Sequence, residues 1–154
     1  MSEFLKTYKI VKDWVDYNNH LNMAYYVLIF DKAWEVMLEK FQMGETSAKK
    51  TNKSTMVVET HTTYNNEVKE NENVDVFLTY FDHDKKRLHY KLEMIEKNTQ
   101  KLSATIEMIS LYVDLKERRV AEFEKDKLKL MDNFISTNKS KFTSDLKFSS
   151  KLKK

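Results

Sequence analysis

Asp16-Tyr17-Asn18-Asn19-His20-Leu21-Asn22 runs straight into Met23-Ala24-Tyr25-Tyr26-Val27-Leu28-Ile29-Phe30-Asp31-Lys32-Ala33-Trp34-Glu35-Val36-Met37-Leu38-Glu39-Lys40-Phe41. In the second stretch Val27, Phe30, Trp34, Met37 and Phe41 recur at steps of three and four. Ala24, Leu28, Ala33 and Leu38 widen that stripe until only a thin polar edge remains. A helix this apolar has to be wrapped by other elements. Asn22 is the expected N-cap, which leaves the N–H groups of Met23 to Tyr25 at the positive end of the helix dipole, where developing negative charge is stabilised.

Upstream, Tyr8 and Ile10 alternate with Lys9 and Val11, so residues 6–13 read as a first strand leading into the loop. Downstream, Gly44 stands where a helix stop belongs, and 45–53 reads as a polar loop with at most one short turn. β-branched and aromatic residues dominate 55–67, with Asn65-Asn66 as a bulge candidate. Val74, Val76, Leu78 and Tyr80 mark a third strand that ends at Asp82-His83-Asp84-Lys85. Leu88, Tyr90, Leu92 and Met94 mark a fourth, and Leu102, Ala104, Ile106 and Met108 a fifth reaching about Asp114. Helical spacing returns over 121–135 through Phe123, Leu128, Met131 and Phe134. Strand, buried helix, four strands and a final helix predict an α+β domain, an antiparallel sheet curled around one central helix.

The 154 residues suffice for one domain with a real core. With no Cys, disulfides and thiolate metal sites are excluded, and a reducing cytoplasm is the expected compartment. Lys6 and Lys9 interrupt the apolar N-terminus and no run of 18 uncharged apolar residues occurs, so neither a secretory leader nor a membrane span is expected. The formal net charge is +3, but residues 138–154 hold six Lys against one Asp, so residues 1–137 are net −2. Two segments follow, a domain over 1–137 and a Lys- and Ser-rich tail over 138–154 expected to be flexible. Clustered Lys can neutralise phosphate, yet no base-reading module accompanies the tail, and nucleic acid is not an expected partner.

Asp16 and His20 place a carboxylate and an imidazole beside a helix N-terminus. Either has an ordinary alternative: Asp often opens turns, and a lone His is often a structural hydrogen-bond partner. Their joint placement suggests acyl-transfer chemistry.

The run Trp14-Val15-Asp16-Tyr17-Asn18-Asn19-His20-Leu21-Asn22-Met23-Ala24-Tyr25-Tyr26, with Phe30-Asp31-Lys32-Ala33, resembles the hotdog thioesterases of the 4-hydroxybenzoyl-CoA thioesterase type. Val58-Glu59-Thr60-His61-Thr62-Thr63-Tyr64, Lys86-Arg87-Leu88-His89 and Tyr112-Val113-Asp114-Leu115 resemble more closely the betainyl-CoA thioesterases, including the thioesterase domain fused to some carnitine dehydrogenases. The likeness covers about residues 5–125 and implies the hotdog fold, an acyl-CoA partner, a place in carnitine metabolism, and assembly as a homodimer or homotetramer. By this resemblance Asp16 is the catalytic carboxylate, with His20 and Asn22 beside it. Trp14, Tyr17, Met23, Ala24, Tyr25 and Tyr26 become substrate-binding candidates, with Glu59, His61 and Arg87 as weaker ones. Asn19 stands where the family has Gly, and Asn is the next most tolerant residue for a left-handed backbone.

Asp16 could activate water or attack the thioester directly to form an anhydride; neither route needs a metal or redox cofactor. A betainyl group would call for aromatic faces, which Trp14, Tyr17, Tyr25 and Tyr26 offer, although ordinary packing explains aromatic residues equally well. A non-catalytic acyl-CoA-binding protein is the rival from another class. A hotdog hydratase ranks lower, because its Asp-x-Asn-Pro-x-x-His type of loop is absent and the chain has no Pro.

Overall fold

The computed structural model describes residues 2–154. Strand β1 (Glu3–Lys9) leads through a 3-10 turn, Lys12–Trp14, to helix α1 (Met23–Lys40). Helix α2 (Glu45–Thr51), strands β2 (Lys53–Tyr64), β3 (Asn73–His83), β4 (Arg87–Glu96) and β5 (Leu102–Asp114), the short β6 (Arg119–Val120) and helix α3 (Lys125–Asn138) follow. Every pairing is antiparallel, in the order β1-β3-β4-β5-β2, with β6 beside β5.

Period-two alternation on β3, β4 and β5 gives the sheet one apolar face: Val74, Val76, Leu78, Phe81, Leu88, Tyr90, Leu92, Met94, Ala104, Ile106 and Met108 are all buried. Against it lie Tyr26, Ile29, Phe30, Ala33, Trp34, Met37 and Leu38 of α1. Trp34 lies flat on Tyr90, ring centroids 3.7 Å apart, and the Tyr90 hydroxyl is paired with Ser110 Oγ at 3.0 Å. The sheet thus wraps the helix, and the architecture is the expected hotdog fold. The helix is not enclosed all round, however, because Met23, Ala24 and Val27 are exposed, Met23 at 68% and Val27 at 41%. They share that exposure with Met56, Val57, Val58 and Tyr64 of β2, an edge strand paired only with β5.

Several boundaries differ from the sequence reading. The first strand begins earlier and ends at Lys9, because 12–14 turn. Residues 45–51 form a helix instead of a loop. Gly44 is not the left-handed stop of α1: Gln42 takes that conformation at φ 58, and Met43 N donates to Leu38 O at 2.8 Å. Gly44 begins α2 where a Cβ would collide with the carboxylates of Glu39 and Glu35. A bulge of β2 falls at Val58, between Val57 and Glu59, and at the strand's end the N–H groups of Asn65 and Asn66 both donate to Ser103 O, at 2.8 and 3.2 Å, the two-against-one pattern of the bulge expected there.

Residues 138–154, for which composition suggested flexibility, follow a defined path over the outer face of the sheet. Thr143 N donates to Thr79 O at 2.9 Å, and Phe142 packs on Tyr80 and Phe134. The N–H groups of Lys147 and Phe148 reach Glu107 at 2.7 and 2.8 Å, and Lys153 N reaches Asp84 Oδ2 at 2.8 Å. No helix among the described residues is long and apolar enough to cross a membrane.

Candidate active site at the start of the central helix

Val15 and Leu21 form an isolated antiparallel bridge. Between them Asp16 N donates to His20 O at 3.2 Å and Asn19 N to Asp16 O at 3.0 Å, closing 16–20 into a tight loop. Closure requires a left-handed residue, and Asn19 supplies it at φ 63. The departure from Gly is therefore compatible with the turn. Asn19→Gly is expected to leave stability unchanged or slightly raised, whereas Asn19→Val should cost about 1–2 kcal/mol because a β-branched side chain crowds that conformation. Urea unfolding of the two variants measures the difference, and equal midpoints would refute the assignment.

The loop is sewn to the domain by Leu21 N donating to Val68 O at 2.7 Å and Asn22 N to Trp14 O at 2.9 Å, with Leu21 itself fully buried. Asn22 caps α1: its Oδ1 accepts from Ala24 N at 3.0 Å and its carbonyl from Tyr25 N at 2.9 Å. Of the three expected donors at the helix start, two are thus taken. Only Met23 N has no hydrogen-bond partner among the described residues.

Asp16 is half-buried; Oδ1 accepts from Asn18 N at 2.8 Å and Oδ2 carries no hydrogen bond among the described residues. In its Nδ1–H tautomer His20 donates to Leu21 O at 3.2 Å, which leaves Nε2 as a base. His20, Leu21, Met23, Tyr26, Tyr64 and Asn65 to Glu67 line a cavity of about 290 Å³, and Asp16 is not among its walls. Tyr26 sits edge-on to Tyr64, centroids 5.2 Å apart; burial, helped by the nearby Glu67 charge, raises its phenol pKa, so it remains a neutral hydroxyl.

The remaining candidates divide between places. Trp14 and Tyr25 stack at 6.1 Å, Tyr17 is 95% exposed and Tyr26 is buried against Tyr64, so the four aromatics do not converge into a cage. Glu59 and His61 are exposed on β2, and Lys151 reaches Glu59 at 3.4 Å. Arg87 lies at the far end of the sheet, its Nη1 2.8 Å from Asp84 Oδ2.

Two arrangements escaped the sequence reading. A cavity of about 350 Å³ between α1, α2 and β2 is walled by Trp34 and Tyr90 with Asp31, Glu35 and Glu45. On the outer face, His89 and Glu107 form a fully buried pair, Nε2 to Oε2 2.7 Å, roofed by the C-terminal segment. Both residues occupy the polar phase of their strands, and only the β4–β5 register makes them partners.

A family model described as the thioesterase-like superfamily matches residues 10–134. A betainyl-CoA thioesterase of Pseudomonas aeruginosa is 32% identical over 126 residues, covering 80% of this chain and 79% of that protein. Among solved structures, a hypothetical protein of Staphylococcus aureus in complex with CoA superposes with a TM-score of 0.81 at 21% identity, covering all of this chain and 95% of the other. A DHNA-CoA thioesterase of Staphylococcus aureus gives 0.80 at 13% identity, covering 90% and 93%.

Proposed function

Because the chain belongs to the thioesterase-like superfamily, we propose that it hydrolyses a short acyl-CoA, with Asp16 as the catalytic carboxylate and α1 as the source of oxyanion stabilisation. The observation that carries this reading is the fold of the Asp16–Asn22 loop onto the start of α1. Asp16 Oδ2 is left free of hydrogen bonds, and of the first-turn donors the Met23 N–H is the one without a partner among the described residues. Hydrolysis breaks the C–S bond, adds water to the acyl carbon and returns a proton to the thiol. Asp16 removes the proton from water or attacks to give an anhydride that water then opens. Met23 N–H and the helix dipole stabilise the oxygen on which charge develops, an effect worth about 3 kcal/mol per donor in other enzymes. In this reading His20, a wall of the neighbouring cavity, handles the proton.

The open side of this site and the unpaired edge of β2 point to a homodimer. Antiparallel pairing of two β2 strands would cover Met56, Val57, Val58 and Tyr64 and place the exposed Met23 and Val27 near the second copy. It also turns the Lys53 half of one β2 toward the Tyr64 end, and hence the α1 start, of the other. On that Lys53 half lies the cavity of Trp34, Tyr90, Asp31 and Glu35, with Ser54, Thr55 and Val57 in its wall. Aromatic faces beside carboxylates suit a quaternary ammonium, which supports a betainyl substrate.

The test is thiol release across a panel that pairs betainyl-CoA with its neutral isostere, 3,3-dimethylbutyryl-CoA, alongside aromatic and long-chain esters. A preference for betainyl-CoA of at least about tenfold in kcat/KM is expected, the size of a desolvated cation–π and ion-pair gain. Tight CoA binding without turnover of any ester would favour the non-catalytic reading.

A further inference from the structure

Glu67 carries the one formal negative charge in the wall of the cavity beside His20 and Met23, and that wall holds no Lys or Arg. The backbone on either side of it is pinned. Before it, Asn65 N and Asn66 N donate to Ser103 O at 2.8 and 3.2 Å, and Asn66 Nδ2 donates to Leu102 O at 2.7 Å. After it, the fully buried Val68 accepts from Leu21 N at 2.7 Å, the bond that sews the Asp16–Asn22 loop to the domain. The reactive loop and the rim that bears Glu67 are therefore held in one frame.

Other carboxylates of the domain are consumed by the protein itself: Glu96 accepts from Thr99 N, Glu107 from Lys147 N and Glu124 from the Tyr112 hydroxyl. The Glu67 side chain makes no hydrogen bond or ion pair among the described residues, although Lys69 and Lys101 border the polar cleft on its other side. An exposed Glu is ordinarily a solvated surface charge. This one is felt inside the cavity. Burial raises the Tyr26 phenol, the Val68 N–H opposes that rise, and the Glu67 charge adds to it.

We propose that Glu67 selects the acyl group by charge, refusing short chains that end in a carboxylate and admitting neutral and cationic ones. This rests on the thioesterase reading, which puts the thioester oxygen at Met23 N–H and so the acyl carbons beside the cavity that Met23 lines. A cavity of about 290 Å³ holds only a short chain, so a carboxylate at its end stays close to Glu67 with no cation in the wall to offset the repulsion. In the homodimer proposed above, Tyr64 of the same wall lies in the contact, and assembly shields the cavity further from water. Repulsion between like charges in such a site is stronger than on an open surface, and salt weakens it.

The test uses malonyl-CoA, butyryl-CoA and β-alanyl-CoA, whose acyl groups are similar in length and are anionic, neutral and cationic at neutral pH. The nucleotide end is common to all three, so ratios between them report on the acyl group alone. In E67Q the malonyl-to-butyryl ratio of kcat/KM is expected to rise at least about fivefold over the parent. In the parent that ratio climbs with added salt, and in E67Q it does not. E67K should favour malonyl-CoA over β-alanyl-CoA relative to the parent, whereas E67D should keep the parent order. A ratio within about twofold of the parent in E67Q, or an equal loss for all three esters, overturns the proposal. Calorimetry with the matching thioethers, in which CH2 replaces the thioester carbonyl, separates selection from chemistry. Thioether affinities that follow charge in the parent but not in E67Q, with no ester hydrolysed, would sustain the selection and sink the thioesterase reading. Hydrolysis of all three esters with ratios that ignore Glu67 would do the reverse.

Discussion

Asp16→Asn is expected to lower thiol release from CoA esters by about 10²–10⁴-fold, the span that a positioned general base contributes. The change is nearly isosteric. Asn retains an oxygen to accept from Asn18 N, so the 16–20 loop keeps the bond that shapes it. What disappears is the negative charge on Oδ2, the atom that the loop leaves without a partner. The melting temperature should stay within a few degrees of the parent, and CoA affinity should stay within about twofold, because Asn still fits the loop. A variant that turns over the same ester panel at the parent rate would remove Asp16 from the mechanism. A variant that loses activity and melts far earlier would show that the carboxylate holds the loop together instead.

Glu107→Ala should cause the largest loss of stability of any single polar change on the sheet. Glu107 is 1% exposed and accepts from His89 Nε2, Lys147 N and Phe148 N. Removing a buried carboxylate that accepts three hydrogen bonds costs about 3 kcal/mol or more, because each donor left behind loses both water and partner. For a chain of this length that is a fall in Tm on the order of 10 °C. The Lys147–Lys154 end would lose its anchor, and limited trypsin digestion should cut the variant there well before the parent. Burial pushes the Glu107 carboxyl up, but the donors from Lys147, His89 and Phe148 prevail and hold it below its ordinary value. A depressed carboxylate contributes fully above its unfolded value and loses that contribution as pH falls through the folded one. Acid unfolding of the parent should therefore begin below the normal carboxylate range, and Glu107→Gln should flatten the slope there. An unchanged acid slope in Glu107→Gln would place the titrating group elsewhere.

The wrapped helix was readable because its periodicity is local and strong. Trp34, Met37 and Phe30 fall on the same face of any 3.6-residue helix, and all are buried. The N-cap was likewise legible, since Asn22 acts on Ala24, two residues away. Where the reading slipped, a neighbour from elsewhere in the chain decided the outcome. Residues 45–51 have little apolar periodicity and form a helix in part because Glu45 N is met by Glu35 Oε1 from α1. A second bulge at Val58 carries no local signal, because it is set by the register of β2 against β5.

The C-terminal segment shows the same limit on the scale of the whole domain. Its Lys and Ser content predicts solvation, and nothing within residues 138–154 could indicate that Glu107 and Asp84 await their N–H groups. What the order of residues determined alone was whatever short-range sterics and periodicity control: the buried helix, its cap, the alternating strands and the loop that presents Asp16. The tertiary structure alone decided which polar residues meet. His89 with Glu107, Lys153 with Asp84, and Trp34 with Tyr90 are joined by strand register and chain path. Those depend on closing long loops around a shared core, and no window of neighbouring residues encodes them.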